Sequence, residues 1–235
     1  SANPLWRVSG RLEWRTTDST PTVAGTDTYL TTVAVARKLD RDWTLLARNY
    51  LLATDYRDRG DLLQNRFQIG AAYRDTDTNR INALGRYEYK VESDERVAPR
   101  NYRTAHILST HADYHPARPW WWTGRAAAKW VKEDMGRVSD SYEAYLLGGR
   151  VTYDVTEQWS VGLMANALYS PQGNATQWAQ GAEVGYQVVT NLWLSAGVNW
   201  SGFYDRDLSG SDYTRQGIYL RLRWKFDEDL FRNSK

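Results

Sequence analysis

The stretch that decides the fold is GIYLRLRWKF, residues 217–226. In it, glycine, tyrosine and three basic residues alternate strictly with five apolar residues, namely Ile218, Leu220, Leu222, Trp224 and Phe226. Because successive side chains of a strand point to opposite faces of a sheet, this segment would have one apolar face and one cationic face. The pattern is typical of a transmembrane β-barrel, whose strands turn apolar residues toward lipid and charged residues toward the lumen.

The composition fits a protein that meets both lipid and water. Its 235 residues include 12 Trp and 16 Tyr against only 4 Phe, and such amphipathic rings suit the membrane–water boundary. The chain has no cysteine, which excludes disulfides and thiolate metal sites. It also lacks any apolar run of the roughly 18 residues that a transmembrane helix needs. Its first residues, SANPLW, show no signal-peptide pattern, so we expect a mature form or a domain of a longer protein.

The same alternation recurs about twelve times along the chain, in segments long enough for the tilted strands that cross a bilayer. The predicted strands cover residues 5–15, 28–38, 43–56, 62–74, 81–92, 102–115, 120–133, 142–154, 159–170, 177–189, 192–204 and 217–226. The second and third alternate less clearly than the others. We therefore predict an all-β fold, an antiparallel transmembrane β-barrel of about 12 strands that forms a single domain over residues 1–235.

The predicted connections alternate in length. Those after even-numbered strands are tight and cover residues 39–42, 75–79, 115–119, 154–158 and 190–191. Those after odd-numbered strands are mostly longer and more polar, notably 16–27, 93–101 and 205–212. Outer-membrane barrels have short periplasmic turns and longer extracellular loops. An even strand count then predicts that both termini lie on the periplasmic side of a bacterial outer membrane.

A soluble β-sandwich or lipocalin is the alternative fold. Its strands also alternate, but they average only five or six residues. Long strands, aromatic strand ends and alternating loop lengths together favour the membrane barrel. The aromatic residues predicted to face lipid are Trp6, Trp14, Trp120, Trp122, Trp130, Trp224 and Phe226.

The face opposite the lipid is predicted to be basic. Its cluster comprises Arg7, Arg11, Arg66, Arg86, Arg125, Lys129, Arg150, Arg221 and Arg223. Acidic residues such as Glu13 and Glu88 share this face. Barrels of eight strands fill with side chains and those of sixteen or more leave an aqueous channel, so twelve strands leave two outcomes open. Either these charges pair and plug the lumen, or they line a narrow pore that favours anions.

Two further patterns resemble sites. Ser109, His111 and Asp113 share one face of a strand, but neighbours two apart lie about 6.6 Å from each other, too far for a nucleophile–base hydrogen bond. We therefore predict no catalytic site. The second pattern is a calcium-loop-like spacing of oxygen ligands in DRDLSGSD, at Asp205, Asp207, Ser209 and Asp212. Gln216 takes the twelfth position, where such loops have a bidentate Glu.

The run from Asn191 to Phe231 resembles the C-terminal end of very large, repeat-rich surface proteins of Gram-negative bacteria. In that family a predicted barrel follows long arrays of extracellular-type β-sandwich repeats. The resemblance is most specific in the DRDLSG loop and the KFDEDLF ending. Outer-membrane proteins usually finish on an aromatic residue read by the assembly machinery, whereas nine residues follow Phe226 here. The resemblance implies the membrane-embedded end of a larger protein, or a relative that functions alone.

Two classes of function fit these observations. The first, which the resemblance favours, is a membrane anchor or translocation domain for an N-terminal passenger or repeat region. The second is a narrow, anion-preferring channel, similar in design to twelve-stranded porins whose arginine-lined lumens pass acidic oligosaccharides. The expected partners are the lipid bilayer, the outer-membrane assembly machinery and either the passenger or anionic solutes. We predict no enzymatic activity, no cofactor and no nucleic-acid partner.

Overall fold

In the part of the chain that the structure describes, the alternation in the sequence is realised as twelve β-strands in one antiparallel sheet. The structure, a computed structural model, describes residues 5–20, 25–58, 60–189, 192–208 and 215–224. The strands are β1 (Trp6–Thr17), β2 (Thr26–Lys38), β3 (Trp43–Tyr56), β4 (Gly60–Arg74), β5 (Ile81–Asp94), β6 (Asn101–Ala117), β7 (Trp120–Asp134), β8 (Ser139–Asp154), β9 (Trp159–Ser170), β10 (Ala175–Val189), β11 (Leu192–Ser201) and β12 (Gly217–Trp224). The described residues contain no helix with the length and hydropathy of a membrane span. The predicted all-β class and strand number are confirmed.

Each strand pairs with the next one along the chain, so the order in the sheet is the order in the sequence. Paired residues share a face, and the register therefore carries one face unbroken from Arg7 of β1 to Arg223 of β12. We call this face the inner face and the opposite one the outer face. The pairing of β6 with β7 is irregular between Tyr114 and Ala117. Pro116 lies there and has no N–H to donate to a ladder.

Several connections differ from the predicted bounds, and two of these differences change the paths of β6 and β11. β6 continues to Ala117, so the predicted turn at 115–119 shrinks to 118–119. β11 ends at Ser201 instead of continuing to residue 204, because the chain then leaves the sheet toward the inner face. The connections at one end of the barrel, the turn end, are short throughout. At the other end, the loop end, 57–59 and 135–138 are equally short. The predicted turn-end connection 190–191 lies outside the described residues.

Side-chain caps build the tight turns at the turn end. Asp40 accepts hydrogen bonds from the backbone N–H groups of Asp42 and Trp43, at 2.8 and 2.7 Å. Asp75 accepts bonds from both the hydroxyl and the backbone N–H of Thr78, which lower the pKa of Asp75 to about 2. Aspartate side chains that bind the backbone two or three residues on stabilise turns of this kind. The turn positions are therefore encoded locally.

The outer face is apolar along the middle of the strands and aromatic near both ends. Ring pairs at the turn end join neighbouring strands with centroid distances of 4.7 to 5.1 Å, in Trp43–Tyr73, Trp120–Tyr153 and Trp159–Tyr186. Further pairs lie toward the loop end, in Trp14–Tyr29 and Trp130–Tyr145. Two aromatic belts around an apolar band are typical of outer-membrane barrels. The predicted lipid-facing residues Trp6, Trp14, Trp120, Trp122 and Trp130 are exposed on this face, while the Trp224 side chain and Phe226 lie outside the described residues.

Polar side chains on the outer face pair with each other across strands. The Asn49 amide of β3 donates a hydrogen bond to the side-chain oxygen of Asn65 on β4, at 3.1 Å. The Tyr87 hydroxyl of β5 and Nδ1 of His106 on β6 are hydrogen-bonded at 2.7 Å. Lipid offers no partner to an unpaired polar group, and leaving one unsatisfied costs several kcal/mol. These pairs let polar residues lie in the apolar band.

The two faces can be tested by one substitution on each. Leu222 lies on the outer face of β12 and is 65% exposed, so Leu222→Arg should destabilise the membrane-inserted barrel by about 2 to 4 kcal/mol. Tyr219 lies on the inner face and donates to Glu183, and an arginine there could still pair with that carboxylate. Tyr219→Arg should therefore be milder. Urea unfolding in lipid vesicles measures both, and a more damaging Tyr219→Arg would mean that the faces are exchanged.

Candidate functional site on the inner face

The register places all nine residues of the predicted basic cluster on the inner face. Arg7 and Arg11 lie on β1, Arg66 on β4 and Arg86 on β5, and the rest follow in the same alternation. The remaining members are Arg125, Lys129, Arg150, Arg221 and Arg223. Lys90 of β5 and Arg103 of β6 add to them. Whether this face conducts ions stays a prediction.

The connection between β11 and β12 folds onto the inner face. We call residues 202–208 of this connection the inner loop. Its Phe203 and Leu208 side chains are buried, and they belong to an apolar cluster with residues from four strands, namely Ile107, Ala144, Leu146, Leu168 and Ala179. Burial of such a side chain contributes roughly 1.5 to 3 kcal/mol. The inner loop is therefore anchored at two points by hydrophobic contact.

A buried ion-pair cluster holds the loop between these two points. The Asp207 carboxylate, whose side chain is only 1% exposed, lies 3.0 Å from Nζ of Lys90, 2.5 Å from Arg103 and 3.5 Å from Lys129. Lys129 also contacts Asp205 at 2.6 Å. Burial alone would raise the pKa of Asp207, but hydrogen bonds and charges from Lys90 and Arg103 outweigh it and hold that pKa at about 2. The carboxylate is therefore ionised at neutral pH.

The inner loop is also ordered by its own backbone. Oδ1 of Asp205 accepts hydrogen bonds from the N–H groups of Asp207 and Leu208, both at 2.9 Å, which closes a turn. Arg206 donates to both carboxylate oxygens of Glu92 on β5, at 2.9 and 2.8 Å. Arg125, from the predicted cluster, donates to the Leu208 carbonyl. The inner loop is thus tied to β5, β6 and β7 by charged and polar contacts.

These contacts require a strongly curled sheet. Neighbouring strands lie about 4.8 Å apart, so a flat sheet would put β5 about 29 Å from β11. Asp207 reaches Lys90 of β5 only six residues after β11 ends at Ser201. Even a fully extended chain of that length spans at most about 21 Å, and the turn closed by Asp205 shortens this one, so only the Lys90 and Asp207 side chains could bridge the rest. The apolar cluster adds to this, because it joins Phe203 to residues of β6 to β10, which a flat sheet would spread over about 19 Å. The inner face is therefore concave, as in a barrel lumen.

The two described residues of the calcium-loop pattern, Asp205 and Asp207, are engaged in ion pairs, and calcium binding by this segment stays a prediction. The carboxylates of Asp205 and Asp207 face lysine and arginine side chains, which would repel a cation. Ser209 and Asp212 lie outside the described residues. In the described part of the chain, no group of three or more histidine or acidic side chains is placed to hold a metal ion. The loop's acids serve to dock it.

Glu88 organises a second ionic cluster on the inner face. Its buried carboxylate lies 2.6 Å from Nε of Arg66 and accepts a hydrogen bond from Gln68, also at 2.6 Å. Lys90 lies 3.3 Å from it and Arg86 lies 3.8 Å away. Because Lys90 contacts both Glu88 and Asp207, this cluster continues into the docking site of the inner loop. The predicted pairing of arginines with carboxylates is therefore present in this region.

A third cluster surrounds Glu183 of β10. The Tyr219 hydroxyl donates to its carboxylate at 3.0 Å, and Arg221 and Arg150 lie 3.7 and 3.9 Å from it. The Tyr219 ring covers the backbone of Gly197 on β11, where any Cβ would collide with the ring. An aromatic ring over a strand glycine pins the register of the two strands. This contact fixes β12 against β11.

Ser109, His111 and Asp113 do lie together on the inner face of β6, but they form no catalytic relay. Nε2 of His111 is 3.4 Å from the Asp113 carboxylate, and Thr123 donates to the same carboxylate at 2.7 Å. No hydrogen bond joins Ser109 to His111 in the part of the chain that the structure describes.

The likeness of this chain to known proteins is one of fold. No protein-family model and no curated protein sequence matches it. Among solved structures, it aligns with the copper transporter OprC at a TM-score of 0.57 and 13% identity, over 84% of this chain and 40% of OprC. Alignments with the NanC porin and with the translocator domain of the autotransporter NalP from Neisseria meningitidis have TM-scores of 0.39 and 0.34, at 12% and 13% identity. They cover 85% of this chain and 94% of NanC, and 84% of this chain and 80% of the NalP domain.

The chain therefore has the fold of outer-membrane β-barrels, as its strand order, outer face and likeness to OprC show together. It spans about 40% of the length of OprC. At 13% identity, this likeness concerns the path of the backbone and leaves the chemistry of the inner face to be argued from its own residues.

The docking of the inner loop can be tested at Asp207. Asp207→Asn removes the negative charge that Lys90, Arg103 and Lys129 share, so the buried cluster loses its central carboxylate, which should cost about 3 to 5 kcal/mol of stability. Asp77→Asn, at an exposed ion pair in a turn, is the control and should change little. Melting temperatures in detergent compare the two. Equal effects of the two substitutions would contradict the docking described here.

The same site predicts a pH dependence. The pKa of Asp207 is lowered in the folded protein, so its stabilising contribution should be complete above the ordinary aspartate pKa of about 3.9 and lost as pH falls toward about 2. The difference in melting temperature between the wild type and Asp207→Asn should therefore be constant from pH 7 to pH 5. It should shrink between pH 4 and pH 2. If the difference in melting temperature shrinks already at pH 6, the lowered pKa of Asp207 is contradicted.

Proposed function

We propose that this chain forms a narrow, anion-preferring channel in the bacterial outer membrane, with an opening set by the inner loop. One observation carries the proposal. The acids of the inner loop pair with Lys90, Arg103 and Lys129 of β5 to β7, so they do not neutralise the basic residues on the inner face of β1 to β4. The remaining opening keeps an excess of positive charge.

The basic residues beside this opening differ in how they are held. Arg7 and Arg48 make no ion pair within the described part of the chain and can face solutes directly. Arg66 and Arg86 contact Glu88, yet their side chains remain 46% and 41% exposed. Rows of arginine and lysine in a pore favour anions and oppose cations. A lumen partly filled by its own loop would also restrict the size of the solute.

The proposal includes an orientation. Tight, side-chain-capped turns lie at one end of the barrel, and the longest connections, 18–25 and 202–216, lie at the other. Outer-membrane barrels have their short turns in the periplasm. We therefore place the turn end in the periplasm, together with both termini. The inner loop then enters the lumen from the extracellular side.

The second candidate is a membrane anchor for an N-terminal partner region. The buried inner loop favours it, because an ion-paired segment packed against an apolar cluster makes a stable plug. β1 begins at the turn end, so a partner region would join the barrel there. Translocation of that region through the lumen would require the inner loop to leave its docking site. In this case the bilayer and the assembly machinery are partners, and no solute passes.

Single-channel recording in a planar bilayer separates the two candidates. The channel proposal expects a small conductance and a reversal potential across a salt gradient that favours anions, with a weaker preference at high salt because of screening. The double substitution Arg7→Gln and Arg48→Gln should lower the anion preference. The control, Arg37→Gln with Arg41→Gln, removes two arginines from the outer face and a turn and should leave it unchanged.

The other outcomes reject one or both candidates. A folded, heat-modifiable wild type that does not conduct would reject the channel and support the anchor. A cation-selective wild type would contradict both, since neither allows the basic face to line a cation path. If the control double substitution reduces the anion preference as strongly as Arg7→Gln with Arg48→Gln does, the selectivity does not arise from the inner face.

A further inference from the structure

A cavity of about 330 Å³ lies on the inner face of β3, β4 and β5, beside the docked inner loop. Its lining includes Arg48, Tyr50, Gln64, Arg66, Lys90 and Glu92. Pockets that bind small organic molecules start at about this size, roughly 300 Å³, and carry a few convergent polar groups. This cavity differs from them in being lined mainly by polar and charged side chains, as expected for a hydrophilic solute.

One side of the cavity is made of groups that already have partners. Arg66 donates to Glu88, and Lys90 lies between Glu88 and Asp207. The Glu92 carboxylate accepts a hydrogen bond from Arg206 and lies 3.5 Å from the Arg103 guanidinium. These contacts restrain the side chains on β4 and β5 and tie them to the inner loop. This side is therefore a preorganised wall with a positive excess.

The other side of the cavity is formed by side chains of β3 and by Gln64 of β4. Within the described residues, the side chains of Arg48, Tyr50 and Gln64 make no hydrogen bond or ion pair. They come from β3 and β4 and converge on the same cavity as the paired wall. A guanidinium, a phenol and an amide provide several donors and two acceptors. In an open pore these groups are hydrated, and a solute with matching groups can replace that water.

We propose that this cavity binds a small organic anion that carries one carboxylate and several hydroxyl groups. The inference rests on the proposed channel and names the class of its solute. The guanidinium fork of Arg48 matches a carboxylate with two parallel hydrogen bonds. The Tyr50 hydroxyl and the Gln64 amide can both donate to and accept from solute hydroxyls. Glu88 and Glu92 limit the positive excess, which favours a single negative charge over two.

The position of the cavity suits permeation. Lys90 joins the cavity wall to Asp207, so a bound anion would lie next to the segment that narrows the lumen. Conduction needs a site that attracts the solute and still releases it. Exposed arginine and hydroxyl groups in contact with water bind an anion with moderate strength, so the solute can leave again. The cavity is thus a solute-binding site next to the inner loop, where the lumen is narrowed.

Calorimetry on the full chain in detergent, with gluconate as the probe, tests the proposal. Gluconate has one carboxylate and five hydroxyl groups, sorbitol has hydroxyl groups without the charge, and acetate has the charge without hydroxyl groups. Gluconate should bind, sorbitol should not bind, and acetate should bind more weakly than gluconate. Arg48→Gln should weaken gluconate binding by about ten- to a hundredfold, the loss expected for a charge-assisted hydrogen bond. Tyr50→Phe should weaken it by about two- to tenfold.

The control is Arg37→Gln, which removes the same charge from the outer face of β2 and should leave binding unchanged. Heat-modifiable migration on a gel confirms that each variant is folded. Equal binding of gluconate and sorbitol, or an Arg48→Gln variant that binds as the wild type does, would overturn the site. Inorganic phosphate that binds as tightly as gluconate would overturn the assignment to carboxylates.

The test also distinguishes the site from the channel. A wild type that conducts anions in a planar bilayer but does not bind gluconate refutes the site and leaves the channel standing. A wild type that binds gluconate in an Arg48-dependent way but does not conduct supports the site and refutes the channel.

Discussion

The buried carboxylate of Asp207 is the contact on which the arrangement of the inner face depends. It joins the inner loop to Lys90 of β5, Arg103 of β6 and Lys129 of β7. A buried carboxylate is tolerated only where cations and hydrogen bonds replace its water. The three strands supply these cations, and the Asp207 carboxylate offsets part of their positive charge. Because the contact spans half of the sheet, it also requires the curvature that makes the inner face a lumen.

The distribution of charge follows from this contact. On the side of β5 to β7, the acids of the inner loop form ion pairs with the basic side chains of these strands. On the side of β1 to β4, the loop provides no acids, and Arg7 and Arg48 remain without ion pairs in the described residues. The lumen is therefore divided into a packed part and a cationic part. The cavity beside Lys90 lies where the two parts meet.

Most of the fold could be predicted from the sequence because strand alternation is local. The alternation of Leu220, Arg221 and Leu222 assigns each residue to a face without knowledge of any other strand. The inner loop could not be predicted in this way. Its contact between Lys90 and Asp207 joins residues 117 positions apart, and the periodicity of a strand carries no information about such distances. The one available signal was the pair of apolar residues, Phe203 and Leu208, within a polar loop.

The same limitation explains the calcium-loop interpretation. The spacing of Asp205 and Asp207 resembles a set of cation ligands, but the cations that they meet are side chains of β5, β6 and β7. Spacing alone cannot separate a metal ligand from a partner in an ion pair. The predicted continuation of β11 failed for a related reason, since the chain leaves the sheet where Phe203 can be buried.

The most direct test of this account is a proton–proton contact measurement by NMR on the detergent-solubilised chain with labelled methyl groups. If the inner loop is docked, Leu208 methyls or the Phe203 ring should give cross-peaks to methyls of Ile107, Leu146 or Leu168. Cross-peaks from Leu208 and Phe203 only to water and to neighbours in their own loop would contradict the account, because the inner loop would then lie outside the lumen.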